Sequence, residues 1–202
     1  MRFFRFLAIA AIAALVPFGS AWAETATQVI DKLNGTLVEV MRNATTLGFN
    51  GRAEKLRPVL IQAYDLETMG RVAVGRAWDA ATPDQRAKLN ELFERFTVDN
   101  YASRFKDFNG EKFEVLGERD GAQGTIVSTH IVRAEKPPVK IDYIMRQRGD
   151  TYRVVDVFLD SAISEVATRR SEFTSIISRN GFDGLLDSLR AGSQRLEQDA
   201  AR

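Results

Sequence analysis

Apolar residues recur every three or four positions through the first half of the chain, and that spacing predicts helices. From Thr25 to Thr46, Val29, Ile30, Leu33, Leu37, Val40 and Met41 form one stripe, which predicts a first helix. A second segment, from about Arg52 to Tyr64, carries Leu56, Val59, Leu60 and Ala63. It also holds Pro58, which lacks an amide proton and either kinks the helix or marks a break after Arg57. Leu66 to Gly75 reads as a short helix stopped by glycine. TPDQ at 82–85 then supplies a capping threonine, a proline at the first helical position and a glutamine able to reach back to the cap. The helix that starts there should run to about Phe105, with Leu89, Leu92, Phe93, Phe96, Val98 and Tyr101 on its apolar side.

The period then drops to two. KFEVLGE (112–118), GTIVSTHIV (124–132), PVKIDYIMRQ (138–147) and TYRVVDVFL (151–159) are rich in β-branched and aromatic residues and predict four strands. Asp120-Gly121 joins the first pair and Arg148-Gly149-Asp150 the last pair, as antiparallel hairpins. The connection RAEKPP at 133–138 is longer and has two prolines that cannot donate to a ladder. After Asp160 and Ser161, either of which could cap, helical spacing resumes with Ile163, Val166, Phe173, Ile176 and Ile177 and ends near Asn180-Gly181. A short piece from Phe182 to Leu189 follows, and the polar residues from Arg190 on are expected to fray. Helices, a four-stranded antiparallel meander and helices again predict one α+β domain over residues 24–190, with a polar tail at 191–202.

The start of the chain changes what is expected to fold. Met1-Arg2-Phe3-Phe4-Arg5, an apolar stretch from Phe6 to Phe18, and Ala21-Trp22-Ala23 together read as a signal peptide, residues 1–23, cleaved after Ala23. Losing Arg2 and Arg5 with it takes the formal charge from +1 to −1. A near-neutral chain with interspersed charges lacks the basic surface of a nucleic-acid binder, so no nucleic-acid partner is expected. No later segment reaches the roughly 18 consecutive apolar residues of a membrane span. The sequence has no cysteine, so an exported product must rely on packing alone.

Candidate chemistry is sparse. With no cysteine and one histidine, His130, neither a hydrolytic triad nor a metal site is supported, and no phosphate-binding glycine loop, nucleophile elbow or dinucleotide fingerprint occurs. His130 lies between Thr129 and Ile131 in a predicted strand and reads as a surface or hydrogen-bonded residue. Asp156 stands among valines in VVDVFL, where a carboxylate is costly to ionise without a partner. One reading gives it an ion pair, through Arg169 or Arg170, or a backbone-capping bond that fixes the strand against a helix. The other makes it, or His130, the working group of a small α+β enzyme acting on an apolar substrate. The lack of a second acid or base at a working position favours the structural reading.

An antiparallel sheet usually keeps one face wet. Strand 139–145 follows that rule, with Val139, Ile141, Tyr143 and Met145 on one side and Lys140 and Asp142 on the other. Its partner does not. Simple alternation puts Val154 and Phe158 on the face of Asp156, and Val155, Val157 and Leu159 on the opposite one. Both a filled core and a ligand-lined cavity are compatible with such a pattern.

The stretches PPVKIDYIMR (137–146), YRVVDV (152–157), ISEVATRRSEF (163–173) and NGFDGLLDSL (180–189) together resemble the MlaC, or toluene-tolerance, family of periplasmic phospholipid-binding proteins. MGRVAVGRAWDAATPDQRAKLNELFERF (69–96) fits the same family's short helix, glycine-arginine-tryptophan step and threonine-capped helix. Tyr152 stands where many relatives carry tryptophan. LDSAIS (159–164) and ATRRSEF look closer to a branch associated with hopanoid biosynthesis loci.

The resemblance implies a periplasmic lipid carrier, with no cofactor and no reaction on the lipid. Its pocket would take the acyl tails of a phospholipid, or of another polar-headed lipid such as a hopanoid, and leave the head group near solvent. It also implies two docking partners: an outer-membrane lipoprotein complex and an inner-membrane MCE-type ABC transporter complex. On that basis the helical part of the wall is expected to draw on Leu66, Met69, Val72, Phe93, Phe96 and Tyr101. The strands are expected to add Tyr143, Met145, Val155 and Val157, and the last helix Ile163, Val166 and Phe173. Arg71, Arg76, Arg169 and Arg170 are candidates for a head-group phosphate, with solvated salt bridges as their alternative role.

Overall fold

The computed structural model describes residues 23–200, so the expected signal peptide, apart from Ala23, lies outside the described residues. Helix α1 (Ala26–Arg42) opens on a reciprocal cap: Gln28 N donates to Thr25 Oγ1 (3.2 Å) and Thr25 N to Gln28 Oε1 (2.9 Å). The predicted stripe is its buried face. It stops four residues before Thr46, where Asn43 turns back and its Nδ2 donates to Glu39 O.

Helix α2 (Ala44–Ala63) is interrupted at Gly48 (φ 61°, ψ −174°) and runs on through Pro58. The break therefore falls where glycine takes a backbone conformation strained for other residues. Pro58 is exposed, so the carbonyl it leaves without a donor can turn to water. Buried Arg52 ties this helix to the next layer by donating from Nε to Ala102 O (2.8 Å) and from Nη1 to Ala44 O (3.1 Å). Helix α3 (Leu66–Val74) begins at Asp65, whose carboxylate accepts from Thr68 N, and a single turn, α4 (Ala77–Ala80), follows. Helix α5 (Pro83–Arg104) starts as TPDQ predicts, with Thr82 and Gln85 capping each other.

The sheet is an antiparallel meander of five strands in chain order: β1 (Lys112–Gly121), β2 (Gly124–Arg133), β3 (Lys136–Arg148), β4 (Thr151–Leu159) and a two-residue edge, β5 (Ile163–Ser164). Three of its details depart from simple alternation. The first hairpin turns at Ala122-Gln123, two residues later than Asp120-Gly121. The second turns tightly at Ala134-Glu135, which leaves Pro137 and Pro138 inside β3 beside a register shift between Ile131 and Arg133. A bulge offers the prolines a place without a ladder bond to lose.

The third departure decides which side chains face inward. Ile144 pairs with Asp156 but Met145 pairs with Val154, so Val155 is an extra residue in β4. An inserted residue reverses the alternation. Val154 and Val157 consequently share the inner face, at 0% and 7% exposed, although three positions separate them. The expectation that Val155 and Val157 lie on one face is corrected accordingly.

Helices cover the inner face. Tyr64 and Asp65 at the end of α2 reach β4, where Asp65 N donates to Val154 O (2.9 Å), and Val29, Leu33, Leu60, Val127 and Met145 close the core. The last helix, α6 (Glu165–Ala200), breaks at Gly181 (φ 72°, ψ −178°) and then continues to Ala200. The frayed tail expected from Arg190 is thus a helical segment packed on α5. Gly192 sits so close to Phe96 that a Cβ would lie 2.7 Å from its ring, and Ser193 is 2% exposed. These two residues extend the stripe of Leu185 and Leu189, but they are too small and too polar to register as apolar.

Candidate functional site

Sheet and helices do not meet completely. Between them lies a cavity of about 310 Å³ with walls from five parts of the chain, the first being Tyr64 at the end of α2. Met69 and Ala73 come from α3, and Phe93, Phe96 and Tyr101 from α5, continued by Phe105. Val166 closes the α6 side. The strands give three cross-strand rows: Ile131 opposite Val139, Ile141 opposite Leu159, and Tyr143 opposite Val157. The last two rows lie in the β3–β4 ladder, whose register shifts at Val155.

The polar wall residues cluster where the cavity meets solvent. Arg104, whose side chain is 58% exposed, lies 3.9 Å from Glu165, and Arg169 pairs with Glu172 at 2.8 Å while its guanidinium stands 5.1 Å over the Phe96 ring. Asn100 and Thr97 donate back to the carbonyls of Phe96 and Phe93, so their polarity is spent on α5 itself. Deeper in, Tyr64 and Tyr101 share a hydrogen bond between their hydroxyls. Burial, foremost, pushes the phenols of Tyr64, Tyr101 and Tyr143 up from their ordinary range, so all three are neutral O–H groups. The result is an apolar hollow with a charged mouth and a small group of hydroxyls in its wall. That arrangement suits a ligand with a hydrocarbon body and a polar end.

Of the expected wall residues, Met69, Phe93, Phe96, Tyr101, Tyr143, Val157 and Val166 line this cavity. The other six do not. Val72 and Ile163 are 42% and 56% exposed. Leu66 packs against the core, Met145 is fully enclosed, and Phe173 stands edge-on behind Phe93 with ring centres 6.1 Å apart. Val155 is the bulge residue. Among the four arginines, Arg169 borders the cavity and Arg170 lies against Gly75 instead. Ile131, Val139, Ile141 and Leu159 line the cavity as well: Val139 and Ile141 share the alternation of Tyr143, Leu159 that of Val157, and Ile131 lies opposite Val139. Ala73, Arg104 and Glu165 carry no such signal.

Neither residue of the enzymatic alternative reaches the cavity. His130 is on the opposite face of β2 from Thr129 and Ile131. Asp156 accepts from Val157 N (2.8 Å), Val166 N (3.1 Å) and Ser164 Oγ (2.6 Å), which is the backbone-capping role and involves neither Arg169 nor Arg170.

The fold has a solved counterpart. A phospholipid-binding protein from Ralstonia solanacearum, determined in complex with a phospholipid, superposes with a TM-score of 0.72 and 19% sequence identity, over 84% of this chain and 95% of that one. At that identity the likeness establishes a common fold. The family model described as MlaC protein matches residues 31–191, which takes in every helix and strand that builds the cavity. The chain therefore belongs to the MlaC family.

Proposed function

We propose that this protein is a periplasmic lipid carrier that holds acyl tails in the cavity and keeps the polar head at the mouth beside Arg104, Glu165 and Arg169. The observation that carries the proposal is the 310 Å³ hollow itself, with predominantly apolar walls and its charged residues at the opening. Membership of the MlaC family and the phospholipid-bound protein of the same fold support it. Binding, not catalysis, is the role assigned to the chain.

The energetics explain why a carrier is needed. Each buried methylene contributes about 0.8 kcal/mol, so two tails with roughly 30 methylenes oppose entry into water by on the order of 24 kcal/mol. A hollow of about 310 Å³ shelters part of that hydrocarbon and lowers the barrier in proportion. Direction must then come from the partners: an outer-membrane lipoprotein complex on one side and an inner-membrane MCE-type ABC transporter complex on the other. The cargo is a phospholipid, with a hopanoid-like lipid as the second candidate on the strength of the LDSAIS and ATRRSEF segments.

Native mass spectrometry of protein purified from the periplasm, followed by solvent extraction and chromatography, tests the reading. About one lipid per chain is expected. Recovery of protein with no stoichiometric lipid would sink it.

A further inference from the structure

The cavity wall holds hydroxyl protons that reach no acceptor within hydrogen-bond distance among the described residues. Tyr64 and Tyr101 have ring centres 6.0 Å apart at 70° and share one hydroxyl-to-hydroxyl bond. That bond uses one of their two protons, whichever ring donates. Tyr143, on β3, is 2% exposed and lines the same cavity, and its hydroxyl has no hydrogen-bond partner among the described residues. Enclosed phenol oxygens ordinarily find a partner. Two donors are thus left at a space whose walls, apart from the polar residues of α5 and the mouth, are hydrocarbon.

Their chemistry narrows what could meet them. The phenols are neutral donors, since burial raises their pKa, so they call for an uncharged acceptor oxygen carried on a hydrocarbon skeleton. A phosphate does not fit that description: its charge would have to be desolvated beside three neutral hydroxyls, whereas Arg104 and Arg169 wait at the mouth. An acyl ester does fit. Its carbonyl is an acceptor only, and it sits at the root of the tail, just inside the head group.

We propose that the hydroxyls of Tyr64, Tyr101 and Tyr143 form a polar subsite that binds an ester carbonyl of the lipid, so that the protein selects ester-linked over ether-linked tails. This rests on the lipid-carrier reading and names the class of lipid it favours.

Equimolar diester and diether phosphatidylglycerol with identical saturated chains, offered together to delipidated protein and counted by native mass spectrometry, provide the test. The wild type is expected to favour the diester roughly three- to tenfold, the range of one or two neutral hydrogen bonds. Tyr143→Phe removes an oxygen, keeps the ring and leaves one free donor, so the preference should fall; because Tyr101→Phe alone would release the proton of Tyr64, the preference should approach unity only when Tyr64→Phe, Tyr101→Phe and Tyr143→Phe are combined. A wild-type ratio of one, or a ratio unchanged in the phenylalanine variants, overturns the subsite while leaving the carrier intact. A neutral polycyclic alcohol that outcompetes the diester, and loses that advantage in the same variants, overturns the ester assignment. If neither lipid binds, the carrier reading fails and the subsite with it.

Discussion

Replacing Asp156 should damage the fold and spare ligand binding. Its carboxylate joins β4 to the first turn of α6. Oδ1 accepts from Val157 N and Val166 N, and Oδ2 accepts from Ser164 Oγ, which itself accepts from Ala167 N at 2.9 Å. The two side chains thereby satisfy two of the backbone donors that every helix start leaves open. A hydrogen bond to a charged group contributes about 1.5–3 kcal/mol and a lost cap costs about 0.5–2 kcal/mol. These contributions share one carboxylate and do not add, so Asp156→Ala is expected to cost about 2–4 kcal/mol in all. Asp156→Asn keeps an oxygen for Val166 N but loses the charge and the bond from Ser164. Its cost should be about 1 kcal/mol. Urea unfolding followed by far-ultraviolet circular dichroism should rank the proteins Asp, Asn, Ala with an unchanged m-value. An Asp156→Ala midpoint within error of the wild type would refute the capping argument. A turnover abolished in the well-folded asparagine variant would restore the enzymatic reading.

Three further outcomes follow from the same geometry. Val157→Phe adds bulk to a cavity wall, so it should reduce bound lipid by native mass spectrometry while leaving the melting temperature nearly unchanged; in a filled core the same change would cost about 1–3 kcal/mol. Gly192→Val would drive a side chain into the Phe96 ring, and a loss of about 1–3 kcal/mol in urea unfolding is expected, against almost none if residues 191–200 were a free tail. Asp65 accepts from Thr68 N and from Arg148 Nε and Nη2 at 2.9 and 2.8 Å; burial pushes its carboxyl up, but these donors together hold it below its usual value. A depressed acid stabilises the fold above its unfolded pKa of about 3.9 and stops doing so as pH falls through the folded one, so the stability gap between wild type and Asp65→Asn should be full at pH 6 and shrink as pH falls below about 3.9.

Much of this architecture was legible because local signals agreed. Thr82 with Gln85 announces a helix start that the structure bears out, and alternation along 139–145 identifies the inner face of β3. The α+β architecture follows from the order of those periods. The errors share one cause, an offset that hydropathy does not encode. A single extra residue at Val155 moves Val154 inward, and Gly181 lets α6 bend without ending. Gly192 and Ser193 look polar yet pack tightly, since a close approach to Phe96 needs small residues rather than greasy ones. For the cavity, sequence could nominate apolar positions but could not tell a wall from a filled core. Met145 and Phe173 are as apolar as Met69 and Phe93 and differ from them only in what stands opposite.

The location of the tail within the protein is the most direct test. A phospholipid with a diazirine near the end of one acyl chain, loaded into the protein and photolysed, marks the residues that touch hydrocarbon. Peptide mass spectrometry is expected to find adducts on the segments carrying Met69, Phe93, Tyr143 and Val157. Adducts confined to exposed positions such as Val72 and Ile163, or spread evenly over the surface, would contradict a tail held inside.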